Sequence, residues 1–128
     1  MAGTLTISTL SDGTNSTSAT NPIMGSAKAW VNFSGSTPTV RASYNVSSVT
    51  RASAGQYTVN FTNAFSDTNY AVVANASSTQ SNTYVVIGVY TPSNSSYSSK
   101  TTSSVAINAY SPAVTNYDPF EIDIAFFR

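Results

Sequence analysis

The chain is expected to fold as a single all-β domain: one antiparallel, jelly-roll-like β-sandwich of about eight short strands, preceded by an extended N-terminal arm. Three observations carry that expectation. Through most of the chain, apolar and polar residues alternate with a period of two, which lines the apolar ones along one face of a strand. No apolar stripe recurs at helical spacing, so no helix of useful length is expected. Clusters of Gly, Pro, Ser and Asn interrupt the alternation about every dozen residues, as in antiparallel sandwiches. A length of 128 residues suits one domain and can bury a core without covalent staples. Residues 1–25 are read as the N-terminal strand and arm, and residues 26–128 as the sandwich.

Leu5 and Ile7, alternating with Thr4, Thr6 and Ser8, mark a first short strand. Ser11 to Met24 is turn and linker chemistry, read as an exposed arm or loop. Ala27 to Phe33 forms the second strand, ended by Ser34-Gly35-Ser36. In the third, Val40, Ala42, Tyr44 and Val46 alternate with Arg41, Ser43 and Asn45. The phase slips at Ser47-Ser48 and leaves Val49 out of step; a β-bulge there restores the register. After the Ala54-Gly55 turn, Tyr57, Val59 and Phe61 point inward, with Thr58, Asn60 and Thr62 outward. Phe65 adds to the core across a turn at Ser66-Asp67, and Tyr70 to Ala74 is the fifth strand. Tyr84 to Tyr90 is apolar on both faces, the mark of a central strand or one facing a partner subunit. A Ser-rich loop from Pro92 to Thr102 contains Tyr97. Val105, Ile107 and Ala109 make the seventh strand. Phe120, Ile122, Ile124 and Phe126 make the last, opposite Glu121, Asp123 and Ala125.

Composition narrows the function. The chain has no Cys and no His, which removes disulfides, thiolate metal sites, the usual general base and every Ser-His or Cys-His nucleophile pair. No cofactor and no metal site is expected. Only 8% of residues are charged, against about a quarter in typical soluble domains. Five basic residues balance five acidic ones, leaving no basic face for nucleic acid. About a third of the residues are Ser or Thr, so solubility rests on hydroxyls and amides. Disorder is excluded by 41% hydrophobic and 12% aromatic residues placed in register. No secretory signal and no membrane-spanning stretch is evident, so synthesis in a cytoplasm and no membrane partner are expected. Sequons at Asn15, Asn32, Asn45, Asn60, Asn75 and Asn94 follow from the abundance of Asn, Ser and Thr.

Eight tyrosines in so uncharged a chain point to carbohydrate, because aromatic rings stack on sugars while Asn, Ser and Thr bond hydroxyls. Tyr97 and Tyr117, both in loops, are the candidate ligand-binding residues. Tyr44, Tyr57 and Tyr70 are read as core, Tyr84, Tyr90 and Tyr110 as facing another strand or subunit, and Trp30 as buried or at a subunit contact. Glu121 and Asp123 lie side by side on one face of the last strand. Paired carboxylates can hydrolyse glycosides, but these lack any supporting acid, base or metal ligand, and they are read as charges protecting a sheet edge. Asp12, Asp67 and Asp118 sit alone in turns as backbone caps. No catalytic residue is assigned. Lys28 and Arg41 fall outward on adjacent strands, as a solvated face or as partners of Glu121 or Asp123 across subunits.

Four blocks, Gly25 to Phe33, Arg41 to Val49, Gly55 to Phe61 and Phe65 to Val73, resemble a domain common in tailed-phage structural proteins of the tail-fibre kind. The likeness runs from about Thr4 to Arg128. It implies a trimeric β-domain displayed on a virion, and the two-sided apolar run at 84–90 agrees with a trimer. Phe61, Phe65 and Tyr70, followed by an apolar terminal strand, also resemble the sandwich of H-type lectins. With no shaft-like sequence, Thr4 to Met24 is expected to be the arm that attaches to other virion proteins. The function expected is a non-enzymatic virion protein of tail-fibre or receptor-binding type that contacts host surface glycan. The alternative is a decoration protein on the outside of the capsid.

Overall fold

A computed structural model describes residues 3–77, 85–90, 99–111 and 115–128. The alternating segments become strands, and they pack as two four-stranded antiparallel sheets with a small two-stranded sheet beside them. The small sheet is a hairpin of β1 (Thr9–Ser11) and β2 (Ser16–Ser18), followed by a six-residue helix α1 (Thr20–Gly25). Sheet I has the order β4-β3-β10-β7, from β3 (Ala27–Phe33), β4 (Val40–Tyr44), β7 (Ala71–Ser77) and β10 (Glu121–Phe127). Sheet II has the order β5-β6-β9-β8, from β5 (Val46–Ser53), β6 (Gln56–Phe61), β8 (Val86–Val89) and β9 (Ser104–Tyr110).

The core lies where the inward residues of the two sheets meet. Ala29, Val31 and Phe33 of β3 and Ile122, Ile124 and Phe126 of β10 face Tyr57, Val59 and Phe61 of β6 and Val105, Ile107 and Ala109 of β9. One end of the sandwich holds an aromatic cluster. The Phe61 ring meets Phe65 at 4.7 Å, Phe126 at 5.0 Å and Tyr70 at 5.7 Å, edge to face. The Tyr70 hydroxyl donates to the carbonyls of Thr101 and Ser104, so its polar end is satisfied while the ring is buried.

Several expectations are corrected. Leu5 and Ile7 form no strand; pairing begins at Thr9, because alternation alone does not make a strand without a surface to bury against. The arm is a hairpin plus a short helix. Its turn is built by Asp12, which accepts from the backbone of Thr14 (3.0 Å) and Asn15 (2.7 Å). The expected third strand is two strands in different sheets, split at Asn45, which has φ +54°. Its side chain accepts from Asn63 N–H and donates to the carbonyls of Lys28 and Asn63, so it ties β3 of Sheet I to the loop that follows β6 of Sheet II. The expected bulge is present between Val46 and Ser48. A second register shift, opposite Asn32 and Phe33, reverses the parity of β4. Tyr44 and Ala42 therefore face outward. Among the described residues β8 ends Sheet II rather than lying at its centre, with Ile87 packed on the core and Val86 and Val89 exposed. Phe120 precedes β10 and lies exposed beneath the Arg41 guanidinium, 5.1 Å from the ring centre.

Candidate functional site

Polar chemistry gathers in two places. The first is a clamp at one end of the sandwich. Arg51 and Tyr57 are cross-strand partners of β5 and β6, and the turn between those strands carries Gly55 at φ +66°. Asp118, in the segment leading to β10, closes on all three. Arg51 donates twice, Nε to Oδ1 (3.0 Å) and Nη2 to Oδ2 (2.6 Å). Gly55 N–H (2.9 Å) and the Tyr57 hydroxyl (2.6 Å) both donate to Oδ1. Burial pushes the Asp118 carboxyl upward, but the Arg51, Gly55 and Tyr57 hydrogen bonds and the Arg51 charge outweigh it and hold the group at about 2. Burial and the neighbouring carboxylate push the Tyr57 phenol well above its usual range. A Cβ on Gly55 would lie 2.5 Å from the Ala109 carbonyl. Asp118 thus caps a backbone, as its turn position implies, and it is also the hub of a structural network that local sequence does not reveal. Both carboxylate oxygens of Asp118 are engaged, so the clamp is a hydrogen-bonded structural network.

The second place is the outer face of Sheet I. Register aligns Tyr44, Trp30, Ala125 and Val73 in one row across all four strands. Ala42, Asn32, Asp123 and Asn75 form the next row. Trp30 is 40% exposed, Tyr44 59% and Val73 60%, so the first row is an apolar strip open to solvent. Ala125, the small residue between Trp30 and Val73, leaves a shallow depression of about 310 Å³, bounded also by Asn75 and Asp123. In the polar row Asn32 Nδ2 donates to Asp123 Oδ1 at 2.6 Å. Beyond it, Arg41 bonds Glu121 (2.7 Å) and the Phe120 carbonyl (3.1 Å).

The residues singled out from sequence fall differently. Tyr117 is half-buried near the clamp, its N–H bonded to the Ala109 carbonyl at 3.0 Å. Tyr97 lies outside the described residues. Trp30, read as buried or at a subunit contact, is 40% exposed in the chain. Glu121 and Asp123 share a face as expected, but β10 is an inner strand, so they decorate the face of the sheet and not its edge. Glu121 pairs with Arg41 inside one chain. Asp67 caps Asn69 N–H and pairs with Arg128. Among the described residues no group of three or more acidic side chains could hold a metal ion, and no helix is long and apolar enough to cross a membrane. The outer-face row was within reach of periodicity: Lys28, Trp30 and Asn32 share one parity of β3, and Ala29, Val31 and Phe33 the other.

A hollow of about 450 Å³ also lies on the N-terminal hairpin, lined by Leu10, Asp12, Asn15 and Thr17. It is the open side of a two-stranded ribbon and gathers no comparable set of groups.

No family model matches the chain, and no curated protein matches it. A solved structure with a similar fold is that of the phiAB6 tailspike in complex with three-repeated oligosaccharides of Acinetobacter baumannii surface polysaccharide. The TM-score is 0.52 at 14% identity, over 77% of this chain. The chain spans 19% of the tailspike's length. The likeness is one of fold: this sandwich architecture also occurs within a phage tailspike.

Proposed function

We propose that the chain is a non-enzymatic phage virion protein of tail-fibre or receptor-binding type, displayed on the particle surface, which contacts carbohydrate of the host envelope. The observation that carries this reading is the outer face of Sheet I, where exposed aromatic residues lie in register beside a row of amides and a carboxylate. Such a surface recognises without transforming: the rings offer flat apolar area at low entropic cost, and the amides offer hydrogen bonds. The tailspike that shares the fold was solved with surface oligosaccharides, which agrees with the reading. Loop residues Tyr97 and Tyr117 are further proposed contacts. Assembly as a trimer would cover the exposed Val86 and Val89 at the edge of Sheet II. The test is binding of the full chain to whole host cells and to an array of bacterial surface polysaccharides. Saturable binding is expected, and a flat response on both refutes the proposal.

A second reading, a decoration protein on the outside of the phage head, is favoured by the N-terminal segment. Leu5, Ile7, Leu10, Ile23 and Met24 are all exposed there, an apolar surface fit for docking on another virion protein. Imaging the particle separates the two: hundreds of copies on the shell support decoration, and a few copies at the tail support attachment.

A further inference from the structure

From the register of Sheet I we infer that the depression over Ala125 is the saccharide subsite, and that it takes a neutral or amino-bearing pyranose in preference to an acidic one. This rests on the receptor-binding reading and adds a location, a ligand class and a role for each residue. A pyranose has an apolar C–H face and a rim of hydroxyls, and the two rows of the sheet match those two surfaces. Trp30 and Val73, on the strands flanking β10, stand roughly 10 Å apart, two inter-strand spacings. Ala125 between them contributes only a methyl group, so the ring seats on the floor of the sheet and against the indole. One pleat along, Asp123 is flanked by Asn32 and Asn75 and meets the hydroxyl rim.

Charge decides the ligand class. Asp123 Oδ1 accepts from Asn32, and among the described residues its second oxygen has no hydrogen-bond partner and no cation. Both cations of this face are engaged elsewhere: Arg41 by Glu121, the Phe120 carbonyl and, at 3.5 Å, Asn32, and Lys28 by the Ile23 carbonyl and the Ser26 hydroxyl. A uronic or other acidic sugar would bring a second negative charge against Asp123 with no uncommitted cation to offset it. A hydroxyl or an amino group is instead the donor that the free carboxylate oxygen lacks. A second copy of this chain is a poorer occupant, because the apolar strip borders directly on Asp123 and its flanking amides, whereas a subunit interface has a charge-depleted apolar centre.

The chain contains one tryptophan, so the emission of Trp30 reports on the subsite itself. The full chain is titrated with neutral, amino-sugar and uronic-acid oligosaccharides, and variants are compared on the polysaccharide array. A saturable emission shift is expected with neutral or amino sugars, with affinity for uronic oligomers about tenfold weaker or less. Trp30→Ala and Ala125→Leu, the second of which fills the depression, should each lower affinity about tenfold or more. Both should leave the urea midpoint nearly unchanged, and Gly88→Ala, on Sheet II where an added Cβ meets nothing, should keep full affinity. If wild type binds cells or polysaccharide while both variants bind equally well, the subsite is elsewhere and the receptor-binding reading survives. A preference for uronic oligomers overturns the charge argument. An emission shift that follows protein concentration alone, with a rise in mass, assigns the face to a second copy and overturns the inference. If wild type binds neither cells nor any glycan, the receptor-binding reading falls and the inference with it.

Discussion

Replacing Asp118 by Asn keeps the shape of the side chain and removes its charge, so it isolates what the clamp contributes. The amide oxygen can still accept from Tyr57 and Gly55, but an N–H now faces the Arg51 guanidinium. The magnitude follows from proton linkage. A carboxyl held at about 2 in the folded chain, against an ordinary 3.8, contributes about 2 kcal/mol of stability at neutral pH. Because the folded value is the lower one, that contribution is complete above about pH 5. It is lost as pH falls toward 2, where under about 0.5 kcal/mol remains. Asp118→Asn should therefore lower stability by about 2 kcal/mol at pH 7, roughly 6–10 °C in Tm for a chain this size. The gap to wild type should close as pH falls from 5 to 2. Urea unfolding followed by circular dichroism at several pH values measures both. Arg51→Met, which removes the strongest partner, should reproduce the closing gap. A variant within about 0.5 kcal/mol of wild type at pH 7, or a gap that does not change with pH, refutes the assignment of Asp118 as the hub.

Other perturbations test other parts of the fold. Gly55→Ala should cost about 2 kcal/mol or more in urea unfolding, because a Cβ meets the Ala109 carbonyl at 2.5 Å and φ is positive, while Gly88→Ala, which meets nothing, should stay within about 0.5 kcal/mol. Phe61→Ala removes the ring shared by Phe65, Tyr70 and Phe126 and should cost about 3–5 kcal/mol, read from the unfolding midpoint. Burial pushes Tyr70 up to about 12, so the unfolded chain ionises first. Stability should hold below pH 10 and fall as pH rises from 10 to 12, and a tyrosinate absorbance titration should show the buried rings ionising only with unfolding. Arg128→Ala breaks an exposed pair with Asp67 and should leave the urea midpoint unchanged.

The core of this fold was legible because period-two alternation is a statement about one strand and one interface. Tyr57, Val59 and Phe61 are inward in the sequence pattern and in the structure, as are Ile122, Ile124 and Phe126. The bulge at Ser47 was legible for the same reason, since a phase slip is local. What escaped depends on contacts far apart in sequence. Asn45 continues the alternation from Val40 to Val46, so nothing local marks it as a corner; its partners are Lys28 and Asn63, from the strand before and the loop after. Asp118 reads as a lone turn residue because Arg51 and Tyr57 lie more than sixty residues upstream. The exposure of Trp30 is a matter of parity: it shares the outer face of β3 with Lys28 and Asn32, while Ala29, Val31 and Phe33 fill the core.

Parity also separates the two tasks of the last strand. In β10 the even-numbered residues Ile122, Ile124 and Phe126 fill the core, and the odd-numbered Glu121, Asp123 and Ala125 face outward. A slip of one residue would bury a carboxylate and expose an isoleucine, so the face exists only while the register holds. Three devices pin it. Asp118 and Pro119 fix the point of entry, with Gly35 N–H bonded to the Pro119 carbonyl at 3.0 Å. Pairing with β3 and β7 runs along both edges of the strand. On the outer face, Asn32 with Asp123 ties β10 to its neighbour β3, and Arg41 with Glu121 ties it across β3 to β4, side chain to side chain. Because the paired edges suffice to hold the register, loss of the Asp118 charge should weaken the fold without moving Trp30, Ala125 and Asp123 relative to one another. Asp118→Asn, assayed well below its unfolding midpoint, should therefore bind saccharide as wild type does; a loss of affinity there would mean that the clamp, and not the ladder, sets the geometry of the face.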